Sequence, residues 1–90
     1  MDKASVDAKI KDFLAFLEVE KNASAHTLRA YASDLKQLIT FWTDIEKRET
    51  KNLLTFERVV RRYIISLFYK KISKTSLSRK CSCLRSFQVF

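Results

Sequence analysis

Few side chains in this 90-residue sequence could carry covalent chemistry, and their spacing argues against most of it: one histidine, His26, two cysteines, Cys81 and Cys83, and three tyrosines. His26 has no nucleophile or carboxylate at a usable distance along the chain, so it suits a neutral polar group beside phosphate better than a general base. Cys81 and Cys83 stand two apart in a segment of helical pattern. At about 100° per residue their side chains diverge by about 200°, which forbids a mutual disulfide. They read as reduced thiols, with Cys81 packed inward. A zinc site needs about four Cys, His or carboxylate ligands at suitable spacing, and this set does not supply them. No paired carboxylates or activated nucleophile can be found, so an autonomous enzyme is the weakest reading, and no cofactor or small-molecule ligand is expected.

The chemistry these residue types do favour is the gripping of phosphate. In the stretch from Ser24 to Leu35, the Ser24 hydroxyl can cap a helix and Thr27 falls in its first turn. His26, Arg29, Ser33, Lys36, Gln37 and Thr40 share the side opposite the apolar positions, and none is acidic. A second such row lies near the end of the chain, where Thr75, Ser78, Arg79, Ser82 and Ser86 fall on one helix face, flanked by Lys80 and Arg85. Serine and threonine inside a helix each cost a few tenths of a kcal/mol relative to alanine, so a row of them lacks a local benefit. Short hydroxyls let a helix approach a duplex closely and donate to phosphate oxygens while neighbouring cations neutralise charge.

Four helices are needed to hold these rows. The first is predicted from near Ser5 or Val6 to near Glu20, burying Val6, Ile10, Phe13, Leu14 and Leu17. Lys21-Asn22-Ala23 connects it to the second, which runs from the Ser24 cap to about Thr43 with Leu28, Tyr31, Leu35, Leu38, Ile39 and Trp42 inward. That stripe makes Tyr31 packing rather than a nucleophile, and puts Asp34 on its flank, placed to pair with a basic residue of another helix. Residues 44–54 break the period and concentrate charge, so they read as the longest loop. Thr55 caps a third helix to about Tyr69, with Glu57 in the first turn, where the dipole favours an acid. Phe56, Val60, Tyr63, Ile64 and Leu67 face inward and Arg58, Arg61 and Arg62 outward. Ser73 caps a fourth that runs to the end, with Leu77, Cys81, Leu84 and Phe87 inward.

Composition agrees with this plan. The chain contains no glycine and no proline, which excludes a Gly-rich nucleotide loop and makes a β-sandwich or barrel improbable, because hairpins and tight turns depend on those residues. Its length suits one domain. The net charge of +8 is divided unevenly: residues 1–46 hold six Lys/Arg against eight Asp/Glu, and residues 47–90 hold twelve against two. From Arg58 onward there are nine basic residues and no acid. Such a half attracts nucleic acid, an anionic membrane or an acidic protein. Membrane attachment is the least attractive, since the cations are interleaved with hydroxyls rather than set opposite an exposed Trp/Leu face. With no apolar run of about 18 residues and no signal-peptide pattern, a cytoplasmic location is expected.

The run Ser24-Ala-His-Thr27-Leu-Arg29-Ala-Tyr31-Ala-Ser-Asp34-Leu35, followed some fifty residues later by Ser82-Cys-Leu84-Arg85-Ser86-Phe87, resembles the N-terminal core-binding domain of tyrosine recombinases of the phage-integrase and Xer type. The resemblance spans about residues 5–90. It implies an all-α, SAM-like fold: a four-helix orthogonal bundle of two crossed helical hairpins, lying against a half-repeat of a recombination site in double-stranded DNA. It further implies contacts from Ser24, His26, Thr27 and Arg29 on the second helix, and from Lys74, Thr75, Ser76, Arg79, Lys80, Ser82 and Arg85 on the fourth. By their chemistry Thr27, Thr75, Ser76 and Ser82 suit phosphate, whereas Arg79, Lys80 and Arg29 are long enough to reach base edges, with Arg79 ranked first. The family's Arg/His/Lys cluster and nucleophilic tyrosine belong to a separate domain, expected after residue 90. The whole protein would then clamp DNA together with other recombinase protomers and cleave it through a phosphotyrosine bond. The alternative is a basic helical module that meets an acidic protein.

Overall fold

All four helices begin on a side chain that accepts from the backbone N–H three residues ahead, satisfying one of the donors that a helix start leaves unpaired. The computed structural model describes residues 2–48 and 55–90. In it α1 spans Lys3–Val19, α2 Ala25–Arg48, α3 Phe56–Tyr69 and α4 Lys74–Val89, with no strand among the described residues. The caps are Asp2 on the Ser5 amide at 2.8 Å, Ser24 on Thr27 at 3.2 Å, Thr55 on Arg58 at 3.3 Å and Ser73 on Ser76 at 3.2 Å. The last three are the expected ones. Asp2 moves the start of α1 forward from Ser5 or Val6 to Lys3, and accepting from Ser5 holds its carboxyl below the usual value.

The second helix also outruns the expectation, continuing to Arg48 rather than stopping near Thr43. Residues 44–48 are therefore helix and not loop, and 49–54 lie outside the described residues. Ile45 explains the extension: it is 3% exposed, one turn beyond the buried Trp42. On the flank, the Lys3 ammonium donates to the Thr43 hydroxyl at 3.1 Å and to a Glu46 carboxylate oxygen at 3.0 Å, tying the start of α1 to the end of α2. Lys47 and Arg48 in the last turn complement the negative end of the helix dipole.

Without glycine, the connectors place other residues in the left-handed region: Asn22, with φ 51°, between α1 and α2, and Lys71, with φ 54°, between α3 and α4. Asn tolerates that conformation well, while Lys bears a steric cost of roughly 1–2 kcal/mol. Here α2 is the central element, packing against α1, α3 and α4, and α3 also meets α4. Val6, Phe13, Leu35, Leu38, Trp42, Val59 and Phe87 fill the core. Phe87 stands edge-on to both Phe13 and Phe56, at ring distances of 5.4 and 5.8 Å. Such contacts add to the burial of the rings themselves.

On α4 the inward stripe differs from the expected one in two places. Cys83 is fully buried whereas Cys81 is only half-buried, so the packed thiol is Cys83. Burial pushes the Cys83 thiol up to about 12. Lys80, expected on the outer flank, is 8% exposed and belongs to the interior.

Candidate nucleic-acid interface

At the start of α2 the Ser24 hydroxyl works in both directions. Its oxygen accepts from the Thr27 amide, and its proton goes to the Thr27 hydroxyl oxygen at 3.1 Å. Thr27 therefore keeps its own hydroxyl proton for another acceptor. His26 and Arg29 are exposed beside this pair, while Thr27 itself is half-buried. Ser33, Lys36, Gln37 and Thr40 continue the exposed side of the helix.

The outer row of α4 is arranged as its spacing requires. Lys74, Thr75, Ser78, Arg79, Ser82, Arg85 and Ser86 are all exposed, and Ser76 is half-buried with its amide on the Ser73 cap. The two rows are joined by one carboxylate. Asp34, only 2% exposed, accepts from Arg79 Nε at 3.2 Å, from Arg79 Nη2 at 3.1 Å and from the Lys80 ammonium at 2.7 Å. Lys80 donates in addition to the Gln37 side-chain oxygen at 2.7 Å, and the Tyr63 hydroxyl donates to the same oxygen at 3.4 Å. One acid, two cations, an amide and a phenol thus link α2, α3 and α4. The expectation that Asp34 pairs with a base on another helix is met, with two bases rather than one.

These bonds separate the expected contacts into two kinds. Lys80 does not offer its ammonium to an outside ligand, because the group is buried and shared between Asp34 and Gln37; its expected DNA contact is withdrawn for that reason. Arg79 is different, since its side chain is 45% exposed. Of its five N–H donors, two are engaged by Asp34 and the rest are left over. Folding the guanidinium back to α2 shortens its reach beyond the surface of α4. The Asp34 carboxylate also raises the already high pKa of Arg79, so the cation is permanent. Sequence reasoning missed Gln37 and Tyr63 as members of this cluster; the signal was the place of Gln37, one turn beyond Asp34 on α2.

Tyr31, tempting as a nucleophile, packs against the core, and burial raises its phenol above the ordinary value. Its carbonyl lies 4.0 Å from the Cys83 sulfur. Tyr31 with Cys83, Asp34 with Arg79 and Lys80, and Gln37 with Lys80 mark the contact of α2 with α4. At the far end, Arg85 and Lys21 line one groove of about 620 Å³ beside Phe16 and Phe90. No cluster of three or more potential metal ligands occurs among the described residues, and none of their helices is long and apolar enough to cross a membrane.

Known proteins match this chain over most of its length. Tyrosine recombinase XerC of Staphylococcus haemolyticus is 43% identical over 79 residues, covering 87% of this chain and 25% of that protein. XerC of Staphylococcus saprophyticus is 42% identical over 76 residues, covering 83% and 24%, and XerC of Staphylococcus aureus strain JH9 is 43% identical over the same length and shares. This chain spans about a quarter of the length of the curated relatives it matches. No solved structure gives a significant match. The phage integrase N-terminal SAM-like domain matches residues 10–90, from the middle of α1 through α4, and the chain therefore belongs to that family.

Proposed function

We propose that this chain is the duplex-DNA-binding N-terminal domain of a tyrosine recombinase, seated on a recombination-site half-repeat through the start of α2 and the outer face of α4. The observation that carries this reading is the acid-free row of exposed hydroxyls and cations on α4, together with the exposed Ser24, His26 and Arg29 at the start of α2. Thr27, Thr75, Ser76 and Ser82 serve as hydrogen-bond donors to phosphate, Ser24 orients the Thr27 hydroxyl by donating to it, and His26, Arg29, Lys74 and Arg85 supply polar or positive groups around them. We assign strand cleavage to the remaining three-quarters of a protein of the relatives' length. The names of the relatives, tyrosine recombinases all, support the assignment to recombination.

The test is titration of a labelled duplex at several salt concentrations. A phosphate-gripping domain loses affinity with rising salt, at a log–log slope of about 0.9 for each phosphate neutralised. No measurable binding to any duplex at about 50 mM salt overturns the reading. Thr27→Ala should weaken cognate and random duplexes alike, because a phosphate contact carries no sequence information.

A further inference from the structure

We propose that Asp34 is a positioning residue that makes Arg79 a fixed phosphate clamp: the buried carboxylate holds the Nε–Nη2 edge of the guanidinium, and the free edge takes the oxygens of one backbone phosphate. This rests on the DNA-binding reading above and changes the part Arg79 plays in it, from reader of a base edge to anchor on the backbone.

Three observations carry it. The first is charge. Asp34 is one negative group against two positive ones, with Arg79 at 3.1 Å and Lys80 at 2.7 Å, so the cluster keeps a net charge of one positive unit. Lys80 is sealed inside, and the surplus is presented to solvent through Arg79, the only half-exposed member of the trio. The second is geometry. A guanidinium held along one edge retains its planar opposite end, whose donors match two oxygens of a phosphate. A side chain drawn back onto α2 has lost the reach that a base edge at the floor of the major groove demands, whereas phosphates lie at the rim, nearest the protein. The third is company. Thr75 and Ser82, each about one turn from Arg79 on the same exposed face, are placed to donate hydroxyls to the same strand.

The carboxylate has a second consequence, since it joins the DNA-facing sides of two helices. Thr27 sits two turns before Asp34, about 10 Å along α2. Fixing Arg79 to Asp34 therefore fixes the spacing between a phosphate seat on α4 and one at the start of α2. A lysine at position 79 would keep the charge without the fork and lose this registration.

The sign of one measurement separates positioning from simple electrostatics. Asp34→Asn removes a negative charge, so long-range attraction alone makes the protein bind DNA more tightly; the clamp requires that it bind more weakly. The experiment titrates a fluorescein-labelled duplex of random sequence with the wild-type chain and with Asp34→Asn, Arg79→Lys and Arg79→Ala across a salt series, with helicity checked by circular dichroism. Arg79→Ala is expected to lose about five- to tenfold in affinity and about 0.9 in log–log salt slope. Asp34→Asn should lose affinity and slope in the same direction, with Arg79→Lys between them and wild type. Arg79→Ala leaves the Asp34–Lys80 pair in place, so the test stands even where Asp34→Asn fails to fold. Wild-type binding that Arg79→Ala leaves unchanged, or that Asp34→Asn strengthens, overturns the clamp and spares the DNA reading. Absence of wild-type binding to any duplex overturns both.

Discussion

A buried carboxylate shared by two cations is held by balance rather than by strong net attraction. Desolvating Asp34 and Lys80 costs several kcal/mol for each ion, offset only while the 2.7 Å contact and the Arg79 fork are intact. Asp34→Ala should therefore strand Lys80 in the interior and lower the unfolding free energy by about 3 kcal/mol, near the low end of the range for a broken buried pair because Arg79 can turn to solvent. Lys80→Met, which keeps volume and leaves Asp34 with Arg79, should cost less than Asp34→Ala in the same urea titration. The two thiols should separate as well. In the folded chain Cys81 should react with a thiol reagent well before Cys83, whose sulfur is buried and whose pKa is raised to about 12. The same shift sets a pH dependence. The folded state holds the Cys83 proton more tightly than the unfolded chain, so this contribution is intact below about 9 and is lost as pH climbs from 9 towards 12. Thermal melts across that window should show falling stability, and Cys83→Ala should remove part of the fall.

At the scale of elements, the helix starts were legible because capping is local: Ser24, Thr55 and Ser73 each need only the amide three residues on. Ser24→Ala should cost about 1 kcal/mol and free the Thr27 hydroxyl from its partner, measurable as a lower melting midpoint. The end of α2 was not legible. The run Asp44-Ile-Glu-Lys-Arg48 is too charged to look amphipathic, yet Leu38, Trp42 and Ile45 keep helical spacing, and that single isoleucine was the available signal. Ile45→Ala should lower stability by about 2–4 kcal/mol if the last turns of α2 cover the core as described, and an effect near zero would return residues 44–48 to a loop. Between α3 and α4 the left-handed Lys71 is a removable cost. Lys71→Gly should raise stability by up to about 1 kcal/mol in the same assay, since glycine adopts that φ without a Cβ clash.

Across the whole molecule, charge and fold point the same way but answer different questions. The excess of +10 over residues 47–90 favours approach to any polyanion, and would give the proposed duplex binding a steep salt dependence. It does not choose between DNA and an acidic protein. What favours DNA is the placing of short hydroxyls between the cations along α4, together with membership of the phage integrase N-terminal family. An acidic partner protein would leave that row without a purpose, and should compete with labelled duplex only through bulk charge.

The sequence by itself determined the helical class, three of the four caps, the exposed rows on α2 and α4, the packing role of Tyr31 and the family. The family rests on two short motifs some fifty residues apart, and each of the others on neighbours within a turn or two or on a periodic pattern that a single segment displays. Only the tertiary structure decided that Lys80 and Cys83 turn inward, that Cys81 stays half out and that Arg79 is folded back onto α2. These residues stand at the margins of the apolar stripe, where a small rotation of α4 about its axis moves a side chain from solvent to core. That rotation is set by how Phe87, Leu84 and Cys83 fit against the other helices, and by a carboxylate 45 residues away in sequence whose need for partners no local pattern displays.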